Sequence, residues 1–108
     1  MLEGLWIVQY HGPAGVGGGV VVFTKGQVLG GDSGFAYVGR YELKGDVLKA
    51  RITATQFDKN IPSVLGVPGN QDLLIEGKVS NDSIDATGAL ATHPDTKIVV
   101  RLTRHHKL

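Results

Sequence analysis

Cysteine is absent from the 108 residues, which removes disulfides, thiolate metal sites and thiol nucleophiles together. Charge of one sign is missing too. Eleven Lys and Arg nearly balance ten Asp and Glu, for a net charge of +1. Nucleic-acid-binding domains usually carry clustered basic residues, so direct nucleic-acid binding is not expected. The locally basic stretch from Arg101 to Lys107 reads as a solvated terminus. Long apolar runs are also lacking. The longest, Val20 to Phe23, falls far short of the roughly 20 residues a spanning helix needs. Met1-Leu2-Glu3-Gly4 has no basic segment leading into an apolar one, so no signal peptide or membrane span is expected. A cytoplasmic location follows as the expectation. Convincing helical periodicity is missing as well.

Glycine is what the chain has in plenty. Sixteen glycines are about twice the average usage. They punctuate short runs of Val, Ile, Tyr, Phe and Thr that alternate apolar with polar, and that pattern predicts an all-β domain with tight turns. The expected strands are Leu2 to Tyr10, Gly19 to Thr24, Gln27 to Gly30, Phe35 to Leu43, Val47 to Phe57, Asp72 to Ser80, Ser83 to Thr92 and Thr96 to Arg104. His11 to Gly18 reads as a Pro/Gly loop. Asp58 to Gln71 is the longest break, and Ile61 to Leu65 within it is expected to make one helical turn. About eight sequential strands with short connections favour pairing between neighbours. Closure into an up-and-down antiparallel barrel removes the two hazardous edges of an open sheet. The whole chain, residues 1–108, is read as one such domain.

Several catalytic-looking motifs carry little. Gly31-Asp32-Ser33-Gly34 has the letters of a serine-protease nucleophile motif. Phe35 stands where that motif continues with glycine, His11 is the only upstream histidine, and the chain is half the required length. A serine without its base and oxyanion framework is a poor nucleophile; a tight turn explains the same residues. Gly15, Gly17, Gly18 and Gly19 precede the strand Val20-Val21-Val22-Phe23, whereas phosphate loops lead into a helix. They read as a flexible inter-strand loop. His11, His93, His105 and His106 match no zinc spacing. No catalytic set, metal site or cofactor is expected, and the chain is read as a non-enzyme.

Gly4-Leu5-Trp6 in the first strand resembles the G-x-W signature of lipocalins. That resemblance implies a Trp plugging one barrel end with an arginine of the last strand stacked on it. A guanidinium over an indole contributes about 0.5–2 kcal/mol. Arg101 and Arg104 are both available for the role. If Trp6 faces inward, so do Val8 and Tyr10, and Leu5 and Ile7 face outward. An apolar outer face is usually covered, so Leu5 and Ile7 are candidate dimer contacts. The inward phase of later strands holds the small residues Ala50, Ala54, Gly77, Ala86 and Gly88 beside the larger Tyr37, Tyr41, Ile52, Ile75 and Leu90. Small inward residues either fit a taper or leave a cavity. The cavity candidates are Trp6, Val8, Tyr10, Tyr37, Tyr41, Ile52, Ile75 and Leu90, with the tyrosines supplying polar tips.

Two further blocks resemble a particular family. Gly30-Gly31-Asp32 is followed by Tyr37-Val38-Gly39, and Ile61-Pro62-Ser63-Val64-Leu65 is followed by a strand and Ser80-Asn81-Asp82. In this order, across most of the chain, they are similar to the GrlR family of negative regulators of type III secretion genes. The resemblance implies a lipocalin-like eight-stranded barrel, a homodimer, and regulation by binding a protein partner. It also implies an apolar cavity or groove for a small ligand. The enterobacterial regulator carries an acidic run between the fourth and fifth strands. Here that turn reads Leu43-Lys44-Gly45-Asp46, which removes the charge complementarity to a basic activator. Gly30, Gly31 and Gly39 are expected to permit a positive φ or a sharp barrel bend. Ile61 to Leu65 is expected to lie over one barrel end. A regulatory protein-binding module and a barrel binding an apolar small molecule both remain open readings.

Overall fold

The computed structural model describes residues 2–108, and these form a closed antiparallel barrel of eight strands in sequence order. The strands are β1 (Gly4–Gly12), β2 (Gly15–Thr24), β3 (Gln27–Gly31), β4 (Phe35–Lys44), β5 (Val47–Gln56), β6 (Gln71–Ser80), β7 (Ser83–Leu90) and β8 (Lys97–Lys107). β8 pairs back onto β1, so every strand has two neighbours. Closure satisfies the backbone donors and acceptors that an edge would leave unpaired.

The alternation of the sequence sets the two faces. Trp6 and Val8 of β1 are buried, as are Val21 and Phe23 of β2, Leu48 of β5, and Ile98, Val100 and Leu102 of β8. Their sequence neighbours lie on the outside, which is the period-two signature of a strand wet on one side. Tight turns close the hairpins. Lys25 (φ 49°) and Gly26 (φ 80°) both adopt positive φ in the two-residue β2–β3 turn, which matches the twist of the strands it joins.

Two segments depart from the sequence reading. His11 to Gly18 is not a flexible loop: only Pro13-Ala14 lies between β1 and β2, and Gly15, Gly17, Gly18 and Gly19 are strand residues. Glycine is tolerated there because Tyr10 lies over Gly17. A Cβ on Gly17 would stand 2.6 Å from the Tyr10 ring. Ile61 to Leu65 makes no helical turn, and no helix occurs among the described residues. Its carbonyls are used by other segments instead. The Ala14 N–H donates to the Val64 carbonyl at 2.8 Å and Gln56 Nε2 donates to the Ile61 carbonyl at 3.0 Å. A helical turn would compete for those acceptors.

Gly30, Gly31 and Gly39 do not use positive φ. They mark close approach instead. A Cβ on Gly30 would lie 2.0 Å from the Val20 carbonyl oxygen, and one on Gly39 would lie 2.2 Å from that of Arg51. The adjoining strands cross these inward positions at backbone contact, the kind of bend a small barrel needs to close.

Candidate functional site

The two ends of the barrel differ. The end formed by the β2–β3, β4–β5 and β6–β7 turns is packed shut around Trp6, which is fully buried. Its indole Nε1 donates to the Leu2 carbonyl at 2.9 Å. Phe23 meets it edge-on at 5.8 Å between centroids, and Tyr41 meets Phe23 at 5.1 Å. Arg104 lies over the indole at 4.7 Å from the ring centroid. It also donates from Nη1 to the Glu3 carbonyl at 3.2 Å and from Nε to Asp82 at 2.9 Å. Strand phase decides between the two arginines. Val100, Leu102 and Arg104 share the inward phase, whereas Arg101 is exposed and faces Asp85 outside. A register shift between Leu5 and Trp6 then brings Trp6 opposite Arg104.

Above this plug lies a cavity of about 230 Å³. Val8, Tyr10, Tyr37, Ile52 and Ile75 line it, as the inward phase predicts, together with Val21, Val28 and Leu48. Trp6, Tyr41 and Leu90 do not line it. Trp6 and Tyr41 are spent in the aromatic stack below, and Leu90 is buried within the core itself. Ala50 and Ala54 line the wall, and their short side chains leave space open.

The polar groups gather at the other end. Asp32 follows β3, and its Oδ1 accepts the backbone N–H groups of Gly34 and Phe35 at 2.8 Å each. This Asx turn reverses the chain into β4. Its Oδ2 accepts the hydroxyls of both Tyr10 and Tyr37, whose oxygens stand 3.1 Å apart. Burial alone would raise the Asp32 pKa, but the two phenols and two amides outweigh it and hold the carboxyl below its ordinary value. Burial and the Asp32 charge push the Tyr10 hydroxyl up to about 12. Burial followed by hydrogen bonding to Asp32 and Tyr10 raises Tyr37 further. Tyr41 is raised as well, by burial and then by Glu3, to which its hydroxyl donates at 3.3 Å.

These are all three tyrosines of the chain. All three are therefore expected to titrate above the ordinary value of about 10 in the folded protein, Tyr10 and Tyr37 by the widest margin, while the denatured chain titrates at that value. The sign for stability follows. Raised folded-state values give a contribution fully present below pH 10 that is lost as pH climbs toward the Tyr10 value of about 12. Ultraviolet titration of the phenolate band checks the first statement, and urea midpoints across the same range check the second. Tyr10 or Tyr37 ionising normally in the folded chain refutes both.

The segment between β5 and β6 covers this mouth. Ile61, Pro62, Ser63, Val64 and Leu65 all line the cavity with Asp32 and Ser33. Gln71, buried at the start of β6, fastens the segment. Its Nε2 donates to the carbonyls of Val67 at 3.1 Å and Gly69 at 3.3 Å, and its Oε1 accepts the Ser63 hydroxyl at 3.1 Å. Sequence reading placed Asp32 in a tight turn and Ile61 to Leu65 over one barrel end, and did not join them to Tyr10 and Tyr37. It also missed Gln71. The available signal was the inward phase of β6, which Gln71 shares with Leu73 and Ile75.

Leu5 and Ile7 lie on the outside, with Ile7 41% exposed. The β4–β5 turn holds one acid, Asp46, which pairs with Lys78 at 3.4 Å. Among the described residues no group of His, Cys, Asp and Glu could hold a metal ion. No helix among them is long and apolar enough to cross a membrane. No protein-family model matches the chain, and no curated protein matches it.

Proposed function

We propose that this protein is a non-enzymatic binding barrel that takes a small apolar molecule into the cavity beneath Asp32. The carrying observation is the cavity itself. Its wall is mostly Val, Leu, Ile, Ala and Phe, and its few polar groups converge at one end, the arrangement of small-molecule sites generally. At about 230 Å³ it exceeds the roughly 150 Å³ cavity that accepts benzene. The wall residue Ala50 supplies the test. Ala50→Leu fills the space from inside and is expected to weaken uptake of an apolar fluorescent probe about tenfold or more. Circular dichroism on the same samples verifies that the variant is folded. A folded wild-type chain that takes up no probe, and carries no small molecule in native mass spectrometry, defeats this reading.

A second reading rests on the outside of the barrel. Leu5 stands opposite Val22, Val22 opposite Leu29, and Leu29 opposite Val38, with Ile7 opposite Val20 beside them. Ile7, Val20, Leu29 and Val38 are all exposed, Val38 by 60%. This uncharged strip across four strands suits a second copy of the chain, as the GrlR resemblance implies. Such contiguous apolar surface usually marks an interface. Sedimentation is expected to give a dimer for the wild type and a monomer for Ile7→Glu. A wild-type monomer at high concentration removes the idea. A regulator with a further protein partner rests on the resemblance alone.

A further inference from the structure

We infer that the cavity selects an apolar molecule with a cationic, ammonium-bearing end, and discriminates against apolar carboxylates such as fatty acids. The inference rests on the small-molecule reading above and deepens it.

The argument begins with the acceptors and donors at the mouth. The Asp32 carboxylate already takes two amides and two phenols. Each phenol has a single proton; that of Tyr10 goes to Asp32, and that of Tyr37 goes to Asp32 or to the Tyr10 oxygen, so both are used within the cluster. What Tyr10 and Tyr37 then offer an incoming molecule is oxygen lone pairs. A ligand that satisfies them must donate. A carboxylate only accepts, so it would face two acceptor oxygens with an anion behind them.

Charge points the same way. The hydrogen bonds to Asp32 keep it ionised. None of the residues lining the cavity is Lys, Arg or His. No ion pair among the described residues includes Asp32. The site therefore carries one negative charge with no counter-charge in its wall. Next to an apolar cavity that charge is poorly screened, which attracts a cation and repels an anion more strongly than the same charge on open surface would.

Size narrows the class. About 230 Å³ suits one ring with a short arm, or an aliphatic chain of comparable bulk, against the roughly 150 Å³ of an engineered cavity that accepts benzene. A small arylalkyl or alkyl amine fits both volume and charge. The apolar part would lie among Val8, Val28, Ile52 and Ile75, with the ammonium at the tyrosine oxygens.

Calorimetric titration of the full chain near neutral pH with phenethylamine, phenethyl alcohol and phenylacetate tests this. The three probes share ring and arm and differ in the head group. Phenethylamine is expected to bind tightest, at least about tenfold tighter than phenylacetate, with the alcohol between them. Asp32→Asn keeps an oxygen for the Gly34 and Phe35 amides and removes the charge. It is expected to cost the amine about tenfold while the alcohol changes less than about threefold. Phenylacetate binding as well as the amine, or an amine preference unchanged in Asp32→Asn, overturns the inference while leaving the small-molecule reading standing. Failure of all three probes to bind counts against both.

Discussion

Replacing Trp6 by alanine is expected to lower unfolding stability by about 3–5 kcal/mol, the range for deleting a large buried aromatic. The reasons are additive in kind. Trp6 is fully buried, so the substitution leaves a void at the closed end that neighbouring strands cannot collapse into without breaking their ladders. The Leu2 carbonyl loses the indole donor, and Phe23 loses its edge contact. Arg104 loses the ring beneath its guanidinium and keeps its bonds to the Glu3 carbonyl and Asp82. Against a typical domain stability of about 5–15 kcal/mol, the loss is a large share. The urea midpoint at constant slope measures it. Combining Trp6→Ala with Arg104→Ala in a double-mutant cycle is expected to show a coupling of about 0.5–2 kcal/mol. A stability loss below about 1 kcal/mol would mean that the closed end is not sealed by this residue.

The barrel was legible because its code is local. Alternation in Leu48-Lys49-Ala50-Arg51-Ile52 specifies which side of β5 faces in, and no distant contact is needed to read it. Arg104 was legible in principle by the same rule, since it continues the phase of Val100 and Leu102. The first loop was misread because glycine carries no phase. Gly15, Gly17, Gly18 and Gly19 look like a flexible linker until the partner strand is known. Tyr10 opposite Gly17 and Val8 opposite Gly19 supply the side chains that β2 lacks.

The site was less legible because its parts lie far apart in sequence. Tyr10, Asp32 and Tyr37 come from β1, the β3–β4 turn and β4, and only the pairing and inward curl of β1 to β4 bring two phenols to one carboxylate. Each residue had a sufficient local explanation. Tyr10 and Tyr37 fit the inward phase, and Asp32 fits a turn. Ile61 to Leu65 had an apolar composition suited to one helical turn. The Gln56 side chain at the end of β5 and the distant Ala14 amide claim its carbonyls, and apolar composition carries no sign of either.

Gly30→Ala is expected to destabilise the barrel by at least about 3 kcal/mol, at the upper end of overpacking effects. A change of one methyl ordinarily does little in a strand. Here the added carbon would sit 2.0 Å from the Val20 carbonyl oxygen and 2.7 Å from the Val21 Cα. Both obstacles are backbone, so no rotamer change relieves them. The relief available is separation of β3 from β2, which loosens the pairs Val20–Gly31, Val21–Gly30 and Val22–Leu29. β3 has five residues and little ladder to spare. The effect reaches the site as well. Gly30 pairs with Tyr37, and Asp32 follows directly after β3. Displacing β3 therefore moves the carboxylate away from the phenols, and Tyr10 and Tyr37 are expected to titrate closer to the ordinary value. Gly18→Ala is the control, because its added carbon meets one atom, the Val8 carbonyl oxygen, at 3.1 Å. Its cost is expected to stay below about 1 kcal/mol, since alanine also restricts the unfolded chain. Urea unfolding of both variants, with phenolate titration of whichever stays folded, separates the two cases. Equal stability in the two variants would contradict the close-contact account of Gly30.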